Sequence, residues 1–152
     1  MTRKAYSIDS FAAWADMDAN AHMANVAYLS KCVDARMSFF KAHGFPVSEF
    51  AKRRIGPVVR RDELEYHREI GLLDPLTVTL ELAGLAPDGS RFRLRNEILT
   101  GEGKLAARVT SEGGWLDLAK RRLIAPPDDL LDALQAMPQA TEFERLPSSI
   151  RK

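Results

Sequence analysis

Between positions 16 and 28 the chain reads Asp16-Met17-Asp18-Ala19-Asn20-Ala21-His22, then Asn25 and Tyr28. Two carboxylates, a histidine and two amides crowd these thirteen positions, just ahead of an apolar run that begins at Val26. If that run is a helix, its first turn offers unpaired N–H groups and a partial positive charge. Such groups polarise a carbonyl and hold a developing oxyanion. A carboxylate just upstream can attack that carbonyl or deprotonate a water that does. Together they make an acyl-transfer site that needs neither a serine nor a metal.

Other chemistry finds less support. His22, His43 and His67 lie 21 and 24 positions apart with no carboxylate at ligand spacing, so no metal site is expected. The single cysteine, Cys32, falls inside the apolar run and reads as a small core residue. One cysteine also excludes an internal disulfide framework and a CxxC zinc site. No GxSxG, no GxGxxG and no phosphate-binding loop occurs, so no serine elbow and no cofactor is expected.

These residues must be positioned by neighbouring elements. Val26, Leu29, Val33, Met37 and Phe40 recur at helical spacing and predict a helix over 26–43. Tyr28, Cys32, Ala35 and Phe39 widen the stripe, which predicts burial on more than one side. Asn25 is the expected N-cap, Gly44 the C′ residue and Pro46 the stop. An initial strand is expected over 5–14, and strands follow over 57–67, 76–85, 91–99 and 104–118. Ala86-Pro87-Asp88-Gly89 is a turn, and Gly113-Gly114 predicts a bulge. Pro126-Pro127 opens a short helix through Met137, with Asp128 and Asp129 in its first turn. The class is therefore α+β: a first strand, a long helix, four antiparallel strands as a meander, and a short helix.

Composition bounds the partners. Twenty-two basic and 21 acidic residues give a net charge of +1, so no general field for nucleic acid exists. Apolar residues at 45% and charged residues at 28% are ordinary globular usage, and 152 residues suit one domain. No apolar stretch is long enough for a membrane span. Arg3 and Lys4 are followed by no apolar h-region, which reads as no secretory signal and a cytoplasmic location. The domain is expected over 1–138, with 139–152 a polar, loosely held tail.

The string Asp16-x-Asp18-x-x-x-His22-x-x-Asn25-x-x-Tyr28, running into Ala35-Arg36, resembles the hotdog-fold acyl-CoA thioesterases of the 4-hydroxybenzoyl-CoA thioesterase type. The element order agrees over about residues 5–137, as do Trp115-Leu116-Asp117 and Pro126-Pro127. The resemblance implies an antiparallel sheet wrapped around one long central helix, and hydrolysis of acyl-CoA to free acid and CoA. It assigns the catalytic carboxylate to Asp18, as nucleophile or general base. It assigns carbonyl polarisation to the helix start at Asn25, with the backbone N–H more important than the side chain, and loop orientation to His22. Asp16 reads as structural. The resemblance also implies a site at a dimer interface, with a homodimer as the smallest unit and tetramers also found.

The substrate contacts expected are Tyr28, Arg91 and Arg93. Arg91, Arg93 and Arg95 alternate along one strand face, which is either a solvated outer face or a contact for CoA phosphates. Arg60-Arg61 and Lys120-Arg121-Arg122 are weaker phosphate contacts. The sequence also departs from the family pattern. Ala21 stands where a glycine is usual, Ala24 where a second Asn is frequent, and the hairpin Asp88-Gly89-Ser90-Arg91 lacks a basic cluster. Two alternatives stay open: a non-catalytic acyl-CoA-binding protein, and an enoyl-CoA hydratase, whose Asp-x-Asn-x-x-His pattern Asp18-Ala19-Asn20-Ala21-His22 misses by one residue.

Overall fold

The apolar run after the motif folds as one helix, α1 (Asn25–Ala42), in the computed structural model, which describes residues 4–150. Arg3 and the last two residues of the expected tail lie outside the described residues. Ahead of α1 come a strand, β1 (Tyr6–Phe11), and a 3-10 turn (Trp14–Asp16). After it come α2 (Val47–Arg53), β2 (Ile55–Tyr66), β3 (Pro75–Leu85), β4 (Arg91–Thr100) and β5 (Leu105–Asp117). The chain closes with β6 (Arg122–Ile124), α3 (Asp128–Ala136) and β7 (Gln139–Arg145). Among the described residues no helix is long and apolar enough to cross a membrane.

The buried face of α1 is the set Ala27, Tyr28, Cys32, Ala35, Arg36, Phe39 and Phe40. Of the expected primary stripe only Phe40 belongs to it. Val26 and Val33 stay 71% and 42% exposed in the single chain. Two rows at 3–4 spacing overlap on this helix, and the one with small residues wins. Ala27, Cys32 and Ala35 let the sheet approach closely. Cys32 is fully buried, which pushes its thiol up to about 12 and makes it a core group. Gly44, at φ +88°, ends the helix as expected.

The strand order is β1-β3-β4-β5-β2, with β6 on β5 and β7 on β3. The expected four-strand meander is therefore only three strands, β3 to β5. β2 lies beyond β5, and the link from β2 to β3 crosses the whole end of the sheet. Along it His67 and Arg68 donate to Ala106 O, Ile70 O accepts from Met23, and Leu73 donates to Ala12 O. That end is where α1 begins. The expected bulge is present but sits in β2, where the register shifts between Val59 and Arg61, opposite Gly113. The glycine on the partner strand gives the bulged backbone room.

The core divides along α1. One half is built of small and branched residues (Cys32, Ala35, Val78, Ile98, Ala106, Val109), the other of large ones (Phe39, Phe40, Phe50, Phe92, Trp115, Leu130). Between them lies buried Arg36, whose Nε donates to Asn96 Oδ1 at 2.9 Å and Nη2 to Ser111 Oγ at 2.7 Å. The tail is not loose. Residues 139–145 form β7, parallel to β3, and Ala140 and Leu146 are buried. Polar composition hid the strand because Glu142 and Glu144 pair with Arg95 and Arg93 instead of facing only water.

Candidate active site

The stretch from Asp16 to Ala24 is a tight hairpin. Met17 and Met23 form an isolated antiparallel bridge. Asp18 N–H donates to His22 O at 3.0 Å, and Ala24 N–H to Asp16 O at 2.8 Å. At the tip, Ala21 N–H donates to Asp18 O at 3.2 Å and Asn20 N–H to Asp18 Oδ1 at 2.8 Å. A three-residue loop of this kind ends in a left-handed residue. Ala21 fills that place at φ +65°. A Cβ in this region costs about 1–2 kcal/mol, partly offset by glycine's larger freedom in the unfolded chain. Ala21→Gly is therefore expected to raise stability by about 0.5–1 kcal/mol. A urea titration checks this as a higher midpoint at unchanged slope.

Asp16 anchors the hairpin. Its Oδ2 accepts from Ala13 N–H at 2.8 Å and lies 2.9 Å from Lys31 Nζ on α1. Burial would raise the carboxyl's pKa, but the Lys31 ammonium and the Ala13 N–H outweigh it and hold it below the usual carboxylate range. The structural reading of Asp16 is thus the observed one. Asn25 is the first helical residue and not the cap. The N-cap is Ala24, which has no side-chain capping bond. Among the described residues neither Asn25 N–H nor Val26 N–H donates a hydrogen bond. These two donors at the start of the helix are left unpaired.

Beside the hairpin lies a cavity of about 410 Å³ lined by Asp18, His22, Asn25, Tyr28, Tyr66 and Glu69, among others. Tyr28 OH donates to Arg68 O at 3.0 Å, and Tyr66 OH to Asn25 O at 3.1 Å. The two rings meet edge to face with centroids 5.2 Å apart. Burial first, then the charges of Tyr66, Glu69 and Asp18, push the Tyr28 phenol up, so it stays a hydrogen-bond donor at neutral pH. His22 Nε2 lies 3.7 Å from Glu69 Oε1. Asp18 Oδ1 is held by the Asn20 amide, while Oδ2 takes no hydrogen bond among the described residues. A half-buried carboxylate with one oxygen pinned and one open, beside unpaired amide donors, can activate water against a polarised carbonyl.

The structure thus gathers Asp18, His22, Asn25 and Tyr28 around one cavity. Arg91 and Arg93 line others within the single chain. Arg93 pairs with Glu112 and Glu144, and Arg91 Nε donates to Ser149 Oγ at 3.3 Å. Tyr66, Arg68 and Glu69 complete the rim and have no motif of their own. The available signal was the polar run Tyr66-His67-Arg68-Glu69 closing an alternating strand. Among the described residues no three His, Cys, Asp or Glu side chains gather as a metal site.

A family model described as the thioesterase-like superfamily matches residues 12–134. Among solved structures, a Staphylococcus aureus protein in complex with CoA superposes with a TM-score of 0.82 at 22% identity, covering 93% of this chain and 89% of that one. A 1,4-dihydroxy-2-naphthoyl-CoA thioesterase from Synechocystis gives 0.78 at 17% identity, covering 88% and 97%. A DHNA-CoA thioesterase from Staphylococcus aureus gives 0.78 at 18% identity, covering 85% and 87%. No curated protein sequence matches the chain.

Proposed function

The chain belongs to the thioesterase-like superfamily and has the hotdog fold, and from that premise we propose that it hydrolyses acyl-CoA thioesters to the free acid and CoA. The observation that carries this reading is the open Oδ2 of Asp18 in a cavity that also holds the unpaired start of α1. The thioester carbonyl sits against the Asn25 and Val26 amides, which take up charge as the tetrahedral intermediate forms. Asp18 supplies the attack, either by taking a proton from water or by bonding to the carbonyl carbon itself. His22, facing Glu69, holds the hairpin at its working distance. Tyr28 closes the cavity floor. Arg91, with no carboxylate partner among the described residues, is the better nucleotide contact, since two glutamates already neutralise Arg93.

The working unit in this proposal is a homodimer. Among the described residues β2 pairs only with β5, so the outward-facing backbone donors and acceptors along its other edge are unpaired. Antiparallel pairing with a second β2 about its middle brings the partner strand's early residues beside the Tyr66 end, at the cavity mouth. The expected mass in light scattering is at least twice 17.0 kDa. A monomer at micromolar concentration would contradict it.

The test of the activity is thiol release across short, long and aromatic acyl-CoAs. CoA release with free acid supports hydrolysis. Water addition to an enoyl-CoA without CoA release, or saturable binding without turnover, overturns it.

A further inference from the structure

Asp18 lines a second cavity of about 450 Å³, and it is the only residue the two cavities share. The second is walled by Trp14, Met17, Ala19, Ala21 and Leu72. Exposed apolar groups concentrate around it: Trp14 is 79% and Leu72 42% exposed, and Leu73 is 66% exposed. Large apolar side chains left in water beside a reactive group call for an apolar occupant. The backbone is strained at the lining residue Ala21, at φ +65°, and next to Leu72, where Leu73 has φ +66°.

The two cavities differ in chemistry. The first mixes the rings and hydroxyls of Tyr28 and Tyr66 and the Met23 side chain with His22, Asn25 and Glu69, while the second, Asp18 aside, presents an indole, a thioether, two methyls and an isobutyl group. A thioester has two arms that diverge at its carbonyl. One is the acyl group, and the other is the amide-bearing chain that leads from sulfur to the nucleotide. If the carbonyl stands at Asp18, one arm must enter each cavity. We propose that the groove of Trp14, Met17 and Leu72 is the acyl subsite and selects apolar acyl groups, aromatic ones above all. The amide-bearing arm takes the hydroxyl-lined cavity. Trp14 offers a flat face for a ring, and Met17 sulfur adds a favourable edge contact. This assignment rests on the proposed hydrolysis.

The test compares wild type with Trp14→Ala and Leu72→Ala; both side chains are exposed, so both variants are expected to fold. With benzoyl-CoA and acetyl-CoA, the benzoyl-to-acetyl ratio of kcat/KM is expected to fall about tenfold in Trp14→Ala, mostly through KM, and to fall in Leu72→Ala too. A calorimetric titration with the unreactive thioether phenacyl-CoA gives the same answer without turnover. Its preference over CoA is expected to shrink about tenfold in Trp14→Ala. An unchanged ratio in both experiments overturns the subsite. So does a Trp14→Ala protein whose mass in light scattering changes while the ratio holds, which would make the patch a contact between copies. If wild type releases CoA from no thioester, the hydrolysis reading falls, and the phenacyl-CoA titration still decides the groove.

Discussion

Asp18→Asn lowers CoA release from the best acyl-CoA by about a thousandfold, with KM little changed. The substitution is chosen for what it preserves. An asparagine keeps the shape of the side chain, and its amide oxygen still accepts the Asn20 N–H that Asp18 Oδ1 now takes at 2.8 Å. The hairpin therefore stays folded, and thermal unfolding is expected at the wild-type temperature. What disappears is the proton acceptor and nucleophile. Carbonyl polarisation by the start of α1 survives, because the Asn25 and Val26 amides are backbone groups. That residual stabilisation sets a floor above the uncatalysed rate. Retention of activity within tenfold would remove Asp18 from the chemistry. A parallel loss of folding would leave the carboxylate's role to Asp18→Glu, which restores the charge but displaces it by one methylene and is expected to recover part of kcat.

How much of this site is legible in the sequence follows from the reach of each interaction. The hairpin's own turn is local: the bonds between its two arms join residues within eight positions, so the motif and the helix start could be read together. Even there the reading put the capping role on Asn25, whereas Ala24 occupies it and leaves the helix donors open. The face of α1 was misjudged because Val26 and Cys32 obey the same spacing, and only the sheet decides which row it covers. Tyr66 and Glu69 reach the cavity because β2 lies beyond β5 and its exit crosses the sheet end, a fact of strand order that no spacing announces. The arginines on β4 looked free in sequence, yet Arg93 and Arg95 meet Glu144 and Glu142 of a strand read as tail. Charge pairing neutralises Arg93 and leaves Arg91 without a carboxylate partner among the described residues.

Gly113→Ala is expected to cost about 3 kcal/mol, the largest loss for one methyl group in this chain. Gly113 is buried in β5 and faces Val59 of β2, where the bulge crowds one extra residue into the strand. A Cβ there would collide with the Val58 carbonyl oxygen and sit 2.9 Å from Val59 Cα. Both obstacles are backbone atoms, so no side-chain rotation relieves them, and β2 itself must move. The need is for space, not for unusual torsions, because Gly113 is not among the positive-φ glycines. Gly56→Ala, in β2 itself, is the control. Its Cβ would meet only Leu118 at 3.6 Å, an ordinary contact, and the expected change is within about 0.5 kcal/mol. The displacement carries to function. β2 holds Asp62 against Ser111, and its last residue, Tyr66, donates to Asn25 O at the helix start. Its free edge is also the surface proposed for the second copy. Urea unfolding of Gly113→Ala should therefore show a lower midpoint, together with weaker self-association. A loss below about 1 kcal/mol would mean that β2 yields easily, and a strand that yields easily could fix neither the Tyr66 rim nor a partner.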